Sequence, residues 1–208
     1  LISALSLRAG GGQTHLFNLL KELPEDSAHS FYLLAPISFK EPSLLPRLTR
    51  LRPRGLRWIE YPGIRFFWEW FFLPRLHRKL QINTIVVPGG VYVGRKPRDC
   101  KIVTFCQNMM PFDHVQRSKY PWGYMRLRTV LLESAFLRSF AKSDLVVFIS
   151  EFARDKVLGL LGSRKPRHHI VAPPGVNPLF IHDPKRPLTK PSWLPQEYFL
   201  YVSTIDVY

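Results

Sequence analysis

Four short stretches of this chain place polar or flexible residues directly after apolar runs: Gly10-Gly11-Gly12-Gln13, Gln107-Asn108, Ser150-Glu151 and Gly175. The chemistry that suits them is anion binding. Three glycines between a strand and a helix let the backbone approach a ligand closely. The helix N-terminus then offers free N–H groups and the positive end of its dipole to a phosphate. The first stretch is neither G-x-G-x-x-G nor a P-loop, because no Gly-Lys-Ser/Thr follows it. A glycine-rich turn that merely permits a sharp bend explains it equally well. Gln107 and Asn108 follow an apolar run, where parallel sheets bind ligands, but loop hydrogen bonding is the alternative. His114 reads as a solvated loop histidine.

The elements that must position these groups are clearest between Ser143 and Asn177. Leu145 to Ile149 is an unbroken, β-branched apolar run, as expected of a strand buried on both faces of a parallel sheet. Ser150 is a good N-cap, and Phe152, Val157, Leu160 and Leu161 form an apolar helical stripe behind it. Gly162 stops that helix. Ile170 to Ala172 is a second strand, ended by Pro173, Pro174 and Gly175. The unit predicts a helix N-terminus at the carboxyl edge of the sheet.

Further strands are expected at Leu1 to Leu7, Phe31 to Ala35, Leu56 to Tyr61, Thr84 to Pro88 and Lys101 to Cys106. Leu56, Trp58 and Ile59 are expected to pack inward. Helices are expected from Thr14 to Leu23 and within Pro121 to Ser143, with weak helical spacing at Leu44, Leu45 and Leu48. Strands alternating with helices predict an α/β fold, a Rossmann-like, mostly parallel sheet with flanking helices.

Arg65 to Leu80 stands apart: Phe66, Phe67, Trp68, Trp70, Phe71 and Phe72 surround Glu69, with Arg and Lys on either side. Two readings are open. A helix covering the sheet is the first, with Pro74 as a kink or a helix start. A membrane interface is the second, with Trp68, Trp70, Phe71 and Arg75 as candidate contacts, rings at headgroup depth and cations on anionic lipid.

These segments together resemble the N-terminal domain of the group 1 (family 4) glycosyltransferases of the GT-B fold. F-I-S-E-F-A followed by I-V-A-P-P-G-V-N-P-L-F is similar to that family's S-E and P-N-G-V-D segments, with Pro174 and Asn177 in place of Asn and Asp. Q-N-M-M-P-F-D resembles an N-x-x-P-F segment of some members, and Trp68-Glu69 falls where the family often has a W-E pair. Tyr198 to Ser203 resembles the opening strand of the family's second domain, with Ser203 in place of Gly.

The resemblance implies an acceptor-side domain over 1–177, a Pro-rich linker over 178–197, and over 198–208 the first strand of a donor-binding domain at whose start the chain is truncated. It also implies a retaining transfer of a sugar from a nucleotide-sugar donor to a lipid-linked or polysaccharide acceptor in bacterial cell-surface glycan synthesis. The fragment alone should be inactive. Gly10, Gly11, Gly12, Gln13, Ser150, Glu151 and Gly175 become donor or acceptor contacts. Many members carry a sugar-touching His at the strand end where this chain has Gln107-Asn108, so Asn108 is the substitute. Trp68 and Glu69 acquire a structural role. No metal and no cofactor beyond the nucleotide-sugar co-substrate are expected.

Charge limits the partners. Thirty Lys and Arg face fifteen Asp and Glu, a net charge of +15, which attracts polyanions: phosphorylated substrates, an anionic membrane face or nucleic acid. The rival class is a basic nucleic-acid- or membrane-binding α/β module without catalysis. No helix-turn-helix, zinc spacing or aromatic RNA-binding motif supports the nucleic-acid version, and none is expected as a partner. The absence of a dinucleotide fingerprint argues against an oxidoreductase. Cys100 and Cys106 lack metal spacing and read as reduced core or near-core residues. No apolar run reaches the length of a membrane span and nothing resembles a signal peptide. The expected location is cytoplasmic, peripheral at the inner membrane face.

Overall fold

The computed structural model describes residues 1–7, 10–24, 29–40, 48–53, 55–175, 192–195 and 197–199. The chain divides into two compact units, Leu1–Pro173 and Pro174–Tyr208. The expected linker falls largely outside the described residues. So does the expected strand over 198–203, from residue 200 on.

In the first unit the elements run β1 (Ile2–Ser3), α1 (Gly11–Lys21), β2 (Phe31–Leu34), β3 (Leu48–Arg50), α2 (Leu56–Ile59), α3 (Pro62–Phe71), α4 (Leu73–Lys79), β4 (Thr84–Val87), β5 (Lys101–Cys106), a 3-10 turn at Met110–Phe112, α5 (His114–Lys119), α6 (Tyr124–Lys142), β6 (Leu145–Phe148), α7 (Glu151–Leu161) and β7 (His168–Val171). The seven strands form one sheet in the order β3-β2-β1-β4-β5-β6-β7. Every pairing is parallel, with Ile2 opposite Leu33 and Val86, Thr84 opposite Lys101, and Leu145 opposite Val103 and His168. The Rossmann-like α/β sheet expected from the apolar runs is therefore borne out.

Successive residues of a strand face opposite sides, and the core divides accordingly. Leu16 and Leu20 of α1 pack with Ile2, Ala4, Leu33 and Ala35. On the other face Leu34, Ile85 and Ile102 pack with Ile59 and Leu73 from the α2–α4 segment. Beside them Cys106, Val146 and Phe148 meet Phe136 and Phe140 of α6 and Val157 and Leu161 of α7. Rings carry that last cluster: Phe112–Phe136, Phe136–Phe140 and Phe140–Phe148 lie 5.8, 5.7 and 6.3 Å apart. A fully buried Phe contributes roughly 2 to 3 kcal/mol by burial alone. The buried hydroxyls of Thr104 and Ser143 bond to each other. The Ser143 hydroxyl donates to the Ser139 carbonyl at 2.9 Å, which leaves Thr104 as the donor in its 2.9 Å contact with Ser143.

One segment departs from expectation. The third strand is Leu48–Arg50, not Leu56 to Tyr61, which opens with the helical turn α2. Gly55 has φ +74°, and its carbonyl accepts from the N–H groups of Trp58 and Ile59 at 2.8 and 3.2 Å. That closes a helical turn where alternating apolar residues suggest a strand. Ile59 is buried as expected, whereas Trp58 is exposed. A segment as short as Leu56-Arg57-Trp58-Ile59 fits either period, and here the backbone turn at Gly55 decides. Leu48 is expected to share a helical spacing with Leu44 and Leu45, which lie outside the described residues. It instead pairs with Phe31 at the sheet edge, where the Arg50 guanidinium donates to the Phe39 and Pro36 carbonyls at 2.9 and 2.7 Å.

The Arg65 to Leu80 stretch is two helices. The first ends at Phe71, and Pro74 sits in the opening turn of α4, where its missing N–H costs nothing.

Candidate functional site

The sheet reverses direction of growth at β1: one connection leads out to β2 and β3, and the next returns to β4 on the other side. Ligands of such sheets bind in the crevice outside the strands' carboxyl ends at that switch point. The loops that meet there are glycine-rich. A Cβ on Gly89 would collide with the Ser6 hydroxyl, and one on Gly12 would lie 2.9 Å from Leu7 Cδ2. The loops after β1 and β4 are thus in direct contact, and glycine makes that approach possible. Gly90, at φ +77°, would put a Cβ 2.5 Å from the Phe105 carbonyl oxygen, so the loop also packs onto β5.

Helix α1 starts three residues earlier than Thr14, so Gly11, Gly12 and Gln13 belong to its first turn. Gly10 is the N-cap with φ 72°, and among the described residues no side chain caps this helix end. No carboxylate occupies the first turn either. Open N–H groups and an uncompensated dipole make this end attractive to an anion. The Gln13 side chain works locally: its Nε2 donates to the Leu7 carbonyl at 3.1 Å and closes the turn.

One turn further along α1, His15 lies edge-on against Phe105 of β5, with centroids 5.6 Å apart. Burial holds its pKa below the usual histidine value, so the ring is neutral at neutral pH. Its Nε2 is buried and has no partner among the described residues. The same is true of the Gln107 side-chain nitrogen. Gln107 is the first residue beyond the carboxyl end of β5. Buried polar atoms are normally bonded, so these two nitrogens are candidates for contact with a ligand.

Asn108 does not do what was expected of it. Its Oδ1 accepts the Met110 N–H at 3.0 Å, the local turn bond of a loop asparagine. Beyond it lies a pocket of about 260 Å3 lined by Met109, Met110, Phe112 and Asp113 from the turn after β5 and by Phe152 and Lys156 from α7. Ser150 caps α7 as its sequence predicts, accepting the Ala153 N–H at 3.2 Å. Glu151 is exposed in the first turn, with its carboxylate 3.8 Å from Arg154. Gly175 falls in the second unit. His114 is engaged rather than merely solvated: its Nε2 is 2.8 Å from Glu133, which Arg117 also contacts. Burial alone would raise the Glu133 carboxyl, but the bonds from Arg117 and His114 outweigh it and hold it below the usual range.

Thiol chemistry does not fit this edge. Both cysteines are buried and free, as expected, and burial pushes Cys106 up to about 12, so it stays protonated. Of the membrane candidates, Phe71 and Arg75 are exposed, whereas Trp68 packs against the core and Trp70 stacks on Phe66 at 5.9 Å.

Residues 9–179 match the family model described as Glycosyltransferase Family 4. The chain belongs to that family. No curated protein and no solved structure matches it. The switch-point crevice, the open end of α1 and the pocket beside α7 thus lie in a glycosyltransferase family 4 domain. Its strand-end histidine is missing at 107–108, yet a histidine reaches β5 from α1. Only its spacing, four residues after Gly11 on one helix face, could have singled out His15 in the sequence.

Proposed function

We propose that this domain is the acceptor-side half of a retaining sugar transferase that uses a nucleotide-sugar donor. In that reading residues 1–177 form the acceptor-side domain, 178–197 the linker and 198–208 the first strand of the donor-binding domain. The observation that carries it is the switch point itself: a glycine-rich helix end with no side-chain cap, and two buried side-chain nitrogens with no partner, among the described residues of a family 4 chain.

In transfer, the bond from the sugar's anomeric carbon to the leaving phosphate oxygen breaks, the acceptor hydroxyl oxygen bonds to that carbon, and the hydroxyl proton passes to the departing phosphate. Negative charge grows on the departing diphosphate. Fixed N–H groups at a helix end stabilise such charge without reorganising. Gly11 and Gly12 supply them here, while His15 and Gln107 donate to sugar or phosphate oxygens. The neutral state of His15 suits a donor that does not compete as a charge. The pocket lined by Met109, Met110, Phe112 and Phe152 takes the acceptor, with Lys156 beside it. A mostly apolar pocket with Lys156 on its α7 side, and with the Asp113 carboxylate engaged by the Gln116 N–H, suits a lipid-linked, phosphorylated acceptor, as in bacterial surface-glycan assembly at the inner membrane face.

The test uses the full-length protein. Nucleoside diphosphate release is measured from a panel of nucleotide sugars, with and without a lipid-linked acceptor extract. Acceptor-dependent release is expected with one donor class. Replacing His15 by Ala or Gln107 by Ala should lower kcat/KM about tenfold to a hundredfold, the loss of one or two bonds to a reacting group. Full activity in both variants overturns the assignment of the site.

A further inference from the structure

We infer that the outer face of α2, α3 and α4 is a docking surface for an anionic lipid bilayer. The inference does not depend on the transferase reading.

Helix α3 is built inside out. A surface helix ordinarily turns its apolar residues inward and its charges to water. Here the fully buried residue is Glu69, 3% exposed, beside the partly buried Trp68. Its Oε2 accepts the Val93 N–H at 3.1 Å, and Arg65 lies 3.7 Å from Oε1. The phenylalanines point out: Phe67 is 62% exposed, Phe71 53% and Phe72 57%, joined by Trp58 at 64% and Tyr61 at 56%. The 3.6-residue period places Phe67 and Phe71 on one stripe, four residues apart. With Phe66 added, six half-exposed aromatic rings amount to roughly 500 Å2 of aromatic surface, as large as the patches that mark interaction sites on ordinary monomers.

Charge selects the partner. Residues 56–80 carry the exposed Arg57, Arg75, Arg78 and Lys79, besides Arg65, which turns inward to Glu69, against two carboxylates, Glu60 and Glu69. Neither carboxylate is free: Glu69 is buried, and Glu60 accepts the Ile37 N–H at 2.7 Å. The Arg75 guanidinium lies 5.9 Å from the Phe72 ring centre and donates to the Phe71 carbonyl at 2.6 Å, so a cation is held at the rim of the rings. Exposed aromatic rings rimmed by Arg and Lys, on a chain of net charge +15, match an interface where rings sit at headgroup depth and cations meet anionic lipid. Among the described residues no helix is long and apolar enough to cross a membrane, so the contact this face makes is peripheral.

The experiment is vesicle flotation of the full chain with phosphatidylcholine alone and with phosphatidylglycerol added. Flotation is expected only with the anionic vesicles and should weaken with salt. The triple variant Phe67→Ser, Phe71→Ser, Phe72→Ser should lose about tenfold or more in partitioning while keeping the far-UV spectrum and melting midpoint. If that variant fails to fold, quenching of tryptophan fluorescence by brominated lipids takes its place. Trp58→Phe should reduce the quenching, whereas Trp122→Phe, on α5–α6, should leave it unchanged. The inference is overturned by wild-type protein that ignores anionic vesicles, by a folded triple variant that floats as well as wild type, or by quenching that follows Trp122. A concentration-dependent dimer that the triple variant dissolves, without vesicle binding, would assign the face to a second copy instead and equally overturn it.

Discussion

Helices α3 and α7 are of nearly equal length, ten and eleven residues, and pack on the same sheet by opposite means. Helix α7 buries Ala153, Val157 and Leu161, a stripe at four-residue spacing, and starts at a serine cap. Helix α3 has no side-chain cap and buries a carboxylate. One is held by apolar burial, which is non-directional and readable as a period. The other is held by bonds from a particular loop, the N–H groups of Val93 and Gly94. The difference shows that a helix can surrender its apolar face to solvent or lipid when a buried polar group fixes it in place. Burial pushes the Glu69 carboxyl up despite Arg65 and the two backbone bonds, so the anchor is held at some cost.

The comparison breaks first at Leu161. Truncating this side chain to Ala in α7 should cost about 3 kcal/mol, the usual range for a buried leucine, read from denaturant midpoints at constant slope. A much smaller loss would mean that α7 is not held by its stripe.

Next comes Glu69→Ala, which strands two backbone donors in the core and should cost about 2 kcal/mol. A silent Glu69→Ala would remove the distinction between the helices. The pH dependence sharpens the point. A carboxyl whose folded pKa is raised contributes stability that is full below its unfolded value and is lost as pH rises through the folded value. Glu69→Gln has no such loss. Its melting midpoint should therefore improve relative to wild type as pH rises above the ordinary carboxylate range. A constant gap over that rise would show that burial does not perturb Glu69.

The smallest effect is Ser150→Ala, which removes the α7 cap and should cost about 1 kcal/mol. The same loss for a substitution at Tyr61, the uncapped entry to α3, would blur the contrast.

Much of the sheet was legible because parallel strands buried on both faces read as short β-branched runs. Lys101–Cys106 and Leu145–Phe148 stand out on that basis alone. Strand β3 does not: Leu48-Thr49-Arg50 is an edge strand with one apolar residue, and its pairing with Phe31-Tyr32-Leu33 is a long-range fact. The site divides in the same way. Gly10 to Gly12 and Ser150 could be placed because turns and caps are local chemistry. His15 could not, and Gln107 only as a polar residue at a strand end, because a buried nitrogen without a partner is a property of its neighbours. The family resemblance points to Asn108 instead, yet its side chain serves its own turn.

The sequence alone determined the α/β class, most strand positions, the capped start of α7, the family 4 motifs and the strong positive charge. All of these rest on residue type and on contacts within a few positions. Tertiary structure decided which face of α3 turns inward, that Leu56 begins a helical turn, and that His15 meets Phe105 ninety positions away. An amphipathic pattern states only that two faces differ. Which one is buried depends on what the opposing surface offers, and opposite Glu69 it offers backbone donors.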